Sequence, residues 1–166
     1  MTPLIRITRS LYDAVQVDLR RPHPFAGERV GFLYGRLANS ATDRPLVLIT
    51  AYTPLDDDRY LPDPTVGARI DSQAIRSAMQ GVIDRNEGCF HVHIHAWPGS
   101  PRFGMTDLAE LPRLVPSFQT VGQHHAHGLF LLSDDLAYAD VWLPGQREPV
   151  AGRLNIVGFP LTLIGA

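Results

Sequence analysis

The chain has 166 residues, 45% of them hydrophobic, enough to bury one real core and too few for a second full-sized domain, so residues 1–166 read as a single domain. A formal net charge of -2 and a pI near 6.4 give no broad electropositive footprint, which argues against nucleic acid or an anionic membrane surface as partner. Charges recur every few positions through Met1–Arg21 and no later stretch approaches a membrane span, so the expected compartment is the cytoplasm; a lone cysteine, Cys89, cannot pair internally and agrees with that.

Leu4–Ile7 alternates apolar and polar residues as a short strand does, and Leu11, Val15 and Leu19 then recur at helical spacing. Pro22, Pro24 and Gly27 punctuate a loop, after which Arg29–Leu37 resumes an apolar-rich strand pattern with Glu28 at its mouth. Leu46–Tyr52 reads as a buried strand, followed by a solvated loop carrying Asp56, Asp57, Asp58 and Asp63. A brief strand is expected near Ala68–Ile70. Ser72 is the expected cap of a helix whose Ile75, Met79 and Ile83 form one apolar stripe ending before Gly88.

Cys89–His95 is the chemically loaded strand. Alternation places His91, His93 and His95 on one face and Val92 and Ile94 on the other. A turn rich in proline and glycine follows, and the spacing of Asp107 and Glu110 marks a loop-to-helix junction. Gly128–Leu132, Tyr138–Leu143, Leu154–Val157 and Leu161–Ile164 complete the strand candidates. The pattern is that of an α/β (α+β) domain, a mixed sheet with helices packed against it.

Histidines two apart on a strand project to one side about 7 Å apart at the backbone, close enough for both imidazoles to reach one ion. His91 and His95 stand about 13 Å apart on a straight strand, too far for all three to share a metal. His93 and His95 form the better pair, because the turn after His95 can return Asp107 as an oxygen ligand and leave a fourth position open. Of the four glutamates, Glu87 ends a helix, Glu110 lies in the helix after Asp107, and Glu148 sits in a late polar turn. Glu28 alone precedes a strand able to run beside the histidines, and it is the candidate base; the plain alternative for a glutamate there is a solvated surface charge.

These segments resemble the JAMM (MPN-plus) zinc metalloprotease family in its bacterial form. Glu28-Arg-Val-Gly-Phe-Leu-Tyr-Gly35 is similar to the family's glutamate-bearing strand. His93-Ile-His95, Gly99-Ser-Pro101-Arg-Phe103 and Thr106-Asp107 resemble its His-x-His, Gly-x-Pro-x-Phe and Ser-x-Thr-Asp series, in matching order. The resemblance runs from about Ile5 to Trp142. It implies a curved mixed β-sheet flanked by helices, MPN/JAB-like and cytidine-deaminase-like. It also implies Zn2+ held by His93, His95 and Asp107, with Glu28 as base, and hydrolysis after the C-terminus of a ubiquitin-like protein or its conjugates. The implied partners include conjugation enzymes of the same bacterial system, some of which act in antiphage defence. The implied clasp loops are Asp56–Pro64 and Gln119–His127.

One departure stands out: the family's serine falls on Gly104, which has no hydroxyl, so Thr106, Ser100 or a backbone N–H would have to substitute. Trp97 either stacks on the substrate tail or anchors its turn, and Arg102 either meets a carboxylate at the cleft or faces water. His124, His125 and His127 lack nearby carboxylates and read as surface loop histidines.

Two other readings stay open. His91-Val-His93-Ile-His95 is also similar to the motif of histidine-triad nucleotide hydrolases, although that motif lies near the chain's end and leaves Glu28 and Asp107 unexplained. Gly104 also fits an MPN-like scaffold that binds without turnover. All 15 basic residues are arginine; genome composition accounts for this, and avoidance of self-conjugation at lysine is the sharper alternative.

Overall fold

Alternation and helical spacing set the order of elements in the computed structural model, which describes residues 2–38, 44–159 and 162–164. β1 (Leu4–Thr8) runs straight into α1 (Arg9–Leu19), because the Thr8 hydroxyl accepts the Leu11 N–H and turns the chain. β2 (Val30–Ala38) and β3 (Leu46–Pro54) follow, then α2 (Ser72–Arg85) and the histidine strand β4 (Gly88–Ile94). α3 (Met105–Glu110) and α4 (Val115–Val121) lead to β5 (His127–Leu132) and β6 (Ala137–Trp142). β7 (Val150–Ala151), β8 (Arg153–Val157) and β9 (Thr162–Ile164) close the chain.

The strands form one mixed sheet in the order β7-β6-β5-β4-β2-β3-β1-β8-β9. β1 lies parallel to β3 and β8, β4 lies parallel to β5, and the other pairs are antiparallel. The sheet curls until strands far apart in that order touch. Gly152, between β7 and β8, shows how tightly: a Cβ there would meet Ile5 Cδ1 at 2.6 Å and Val141 Cγ2 at 3.1 Å.

Curling divides the apolar side chains into an inner and an outer set. Ile5, Val47, Phe90, Val92, Ile94 and Phe130 close around Val15 and Leu19 of α1 on the inside. Val30, Phe32, Tyr34 and Cys89 meet Ala74, Ala78 and Val82 of α2 and Phe118 of α4 on the outside. Because β4 sends Phe90, Val92 and Ile94 inward, its histidines emerge on the outer face. That pleat is what places the candidate site.

Several expectations are corrected. The cap of α2 is Asp71, whose carboxylate accepts the Ala74 N–H at 2.7 Å, rather than Ser72. Its buried stripe is Ala74, Ala78 and Val82, with Ile83 left 54% exposed. The helix presses small residues against β2: a Cβ on Gly81 would strike the Tyr34 ring, at 2.6 Å from Cζ. The strand expected near Ala68–Ile70 reduces to one bridge between Tyr60 and Ile70. The Asp56–Pro64 loop is mostly exposed, as expected, and is held by Arg29 on Asp57 at 2.7 Å and Arg69 on Asp63 at 3.2 Å. Gln119–Val121 belongs to α4 and His127 to β5, which leaves only 122–126 of the second expected clasp as loop. Among the described residues no helix is long and apolar enough to cross a membrane.

Candidate metal centre

Val30 pairs with His93 in the antiparallel β2–β4 ladder. Extending that register by two residues sets Glu28 opposite His95, and Glu28 Oε1 lies 3.4 Å from His95 Nε2. Asp107 arrives from α3: its Oδ2 lies 3.7 Å from His93 Nε2 and 3.7 Å from His95 Nε2. Two carboxylates, from different parts of the chain, thus approach the imidazole pair.

Asp107 is the third residue of α3 rather than its cap. Gly104 occupies the cap position, and its N–H donates to Asp107 Oδ2 at 2.8 Å. This half of a capping box fixes the carboxylate's direction. Glu28 is held through its backbone, whose N–H donates to the Gly67 carbonyl at 3.0 Å. The adjacent Arg29 is buried and donates to the Arg21 carbonyl at 2.8 Å, the Pro22 carbonyl at 2.9 Å and Asp57 Oδ1 at 2.7 Å. Tyr60 pins the start of β2, its hydroxyl accepting the Val30 N–H at 2.9 Å.

His93 is 2% exposed, and neither its Nδ1 nor its Nε2 has a hydrogen-bond partner among the described residues; His95 Nδ1 lacks one too. Unpaired buried ring nitrogens are costly unless something outside the protein chain satisfies them. Packing fixes the rings instead: His93 lies 6.0 Å from Phe103 and His95 4.6 Å from Trp97, centroid to centroid. Burial, with the charge of His93 second, pushes the His95 pKa down. The same two causes in the same order push His91 down to about 3. Burial alone would raise the Asp107 carboxyl, but the nearby His93 imidazole and the Gly104 N–H outweigh it and hold Asp107 below its ordinary value. A His95 imidazole whose charged form is disfavoured, beside an Asp107 carboxyl whose charged form is favoured, is the combination a cation needs.

One ligand atom from each of Glu28, His93 and His95 falls within 4.8 Å of the others, so this group can hold a metal ion. Asp107, with Oδ2 3.7 Å from both imidazoles, adds a second carboxylate beside this group. The donor chemistry fits a divalent transition metal.

The centre opens into a cleft of about 370 Å³ walled by Pro64–Ala68, Trp97 and Gly104–Asp107. It continues past His91, Thr106 and Asp107 into a groove of about 560 Å³. Trp97 is half exposed over His95, so it both packs on the turn's ligand and borders the opening. Arg102 does not line this cleft; it lies in a separate hollow with Phe103, Leu108 and Tyr138, as does Ser100. His127, expected on the surface, is fully buried: its Nδ1 accepts the Cys89 N–H at 3.1 Å and its Nε2 pairs with the Gly122 carbonyl at 2.8 Å.

Gly67 and Arg29 carry no motif of their own. Their parts depend on Glu28 being where it is, which no local spacing encodes.

No family model matches the chain, and no curated protein matches it. Among solved structures it is similar to the Trichoplax adhaerens STIL N-terminal domain, with a TM-score of 0.39 at 13% identity over 82% of this chain. The chain spans 40% of that structure's length, and a likeness of this size carries no argument about fold or function.

Proposed function

We propose that this chain is a zinc-dependent peptidase of the JAMM (MPN-plus) type, built on an MPN-like version of the curled mixed sheet. Its reaction is hydrolysis of the peptide or isopeptide bond after the C-terminus of a ubiquitin-like protein, in the cytoplasm, beside that protein's conjugation enzymes. The observation that supports this most directly is Asp107 Oδ2 at 3.7 Å from the Nε2 of both His93 and His95, with Glu28 Oε1 at 3.4 Å from His95.

The two carboxylates differ in how they are held. Asp107 sits astride the imidazole pair and is anchored by the Gly104 N–H, which suits a ligand. Glu28 approaches from the His95 side with its carboxylate in the cleft wall, which suits a group that carries a proton. The donor set of two imidazoles and a carboxylate favours zinc. Zinc, when bound, supplies Lewis acidity that makes water a nucleophile near neutral pH and polarises the scissile carbonyl.

Glu28 takes the proton of the attacking water and returns it to the leaving nitrogen. Trp97 offers a half-exposed ring on which the substrate's extended tail can lie. Thr106, exposed and lining the cleft two positions after Gly104, offers a hydroxyl to replace the one Gly104 lacks.

The test is metal analysis of the purified chain together with cleavage of a panel of linear ubiquitin-like fusions. About one zinc per chain and hydrolysis at the fusion junction are expected. A chain that binds no zinc, or that keeps its zinc in His93→Ala, would remove the ligand assignment. Gly104 favours a second reading, a zinc-bearing MPN-like scaffold that grips the tail without cutting it; binding of the fusions with no product would mark it.

A further inference from the structure

Gly67 has no backbone reason to be glycine. Its φ lies outside the left-handed region, unlike those of Gly99, Gly145 and Gly158. The reason is spatial: the three nearest heavy atoms to a Cβ built on Gly67 all belong to the Glu28 carboxyl group, with Cδ at 2.5 Å and Oε1 at 3.0 Å. Glu28 therefore lies flat on the bare Cα of Gly67, and its own N–H donates to the Gly67 carbonyl at 3.0 Å.

The wall that carries Gly67 resists being pushed back. Leu61 N–H donates to the Arg69 carbonyl at 2.8 Å, Tyr60 bridges Ile70, and Asp63 accepts from Thr65 at 2.6 Å and from Arg69 at 3.2 Å. Glu28, by contrast, ends in a flexible side chain. When two groups compete for one space, the flexible end yields.

We propose that Gly67 is a positioning residue for Glu28: its missing side chain is the seat that holds the carboxylate 3.4 Å from His95 Nε2. Where catalysis is concerned this rests on the reading of Glu28 as the base. The seat itself is a property of the fold and is tested separately.

The experiment is a crystal structure of Gly67→Ala beside that of the parent chain, with kinetics of both on a linear ubiquitin-like fusion. The carboxylate is expected to move about 1 Å or more from its place, the distance that restores ordinary van der Waals contact, with the Pro64–Ala68 backbone unmoved. kcat should fall at least tenfold with KM within twofold and zinc content unchanged, and Gly67→Ala should add nothing to Glu28→Gln.

A carboxylate that stays in place while the wall retreats would overturn the proposal, as would unchanged kcat with a displaced carboxylate in a chain that cleaves the fusion. If the parent cleaves nothing, the proposed function fails, while the displacement still decides the seat. If Gly67→Ala is too unstable to crystallise, Gly67→Ala in a Glu28→Ala background decides. Recovery of the parent's melting temperature supports the seat, and a persistent loss refutes it.

Discussion

Glu28 and His95 face each other across the β2–β4 ladder although 67 positions separate them in the chain, because the register that pairs Val30 with His93 places them in line. The glutamate's position is thus a consequence of sheet pairing. A slip of one residue in β2 would turn it to the opposite face and leave the imidazoles with Asp107 alone.

Removal of either function should therefore be separable. His93→Ala and Asp107→Asn are expected to lose bound zinc, since each removes one of two donor atoms, His93 Nε2 and Asp107 Oδ2, that lie 3.7 Å apart. Glu28→Gln should keep zinc and lose hydrolysis by at least a hundredfold, the scale on which general bases act. Metal content by mass spectrometry and cleavage rate together read this out; loss of zinc in Glu28→Gln would make Glu28 a ligand and reassign the base.

Gly104→Ser is expected to raise turnover. Gly104 caps α3 with extended backbone angles open to any residue, and a Cβ there would meet only Asp107 Oδ2, at 3.4 Å. A hydroxyl in that place can donate toward the developing oxyanion, a contribution worth about a hundredfold to a thousandfold in kcat. An unchanged kcat would show that Thr106 or a backbone N–H already serves.

Much of this was legible because the histidine strand alternates: His93 and His95 had to share a face, and Val92 and Ile94 had to be core. The glutamate strand was legible for the same local reason; near Asp107 only the presence of a helix start was, since the cap is Gly104 and its N–H bonds back to Asp107. The cap of α2 was not, since Asp71 and Ser72 are both good caps and only the Asp71–Ala74 bond separates them. Its buried stripe shifted to Ala74, Ala78 and Val82 because close packing on Tyr34 favours small side chains, a tertiary effect that outweighs size. His127 looked like a loop histidine because its partners, Cys89 and Gly122, are backbone groups that no spacing reveals. The resemblance added the pairing of Glu28 with a site lying 65 residues downstream at His93, which periodicity by itself left open.

Arg29→Met should loosen Glu28, the proposed base, without touching it. The guanidinium is buried and donates to two backbone carbonyls of the segment that leads into Glu28. Their loss costs about 3–6 kcal/mol on the scale of hydrogen bonds from charged donors. The melting temperature should drop measurably and hydrolysis should fall with zinc retained. A variant as stable as the parent would mean that the carbonyls find other donors.

Stability should also fall with acid through His127. Burial, opposed by the bond to the Gly122 carbonyl, holds its pKa below the ordinary histidine value. A lowered folded pKa means that the unfolded chain takes up a proton first, so stability is complete above the unfolded value of about 6.5 and declines as pH falls from there toward the folded value. The structural reason is specific: Nδ1 accepts the Cys89 N–H, and a proton on that nitrogen would set two donors against each other. His127→Gln is expected to flatten this part of the profile while costing stability at neutral pH. Melting temperatures of both proteins, followed from pH 7.5 to 4.5 without added metal, provide the check, and parallel curves would remove His127 as the source.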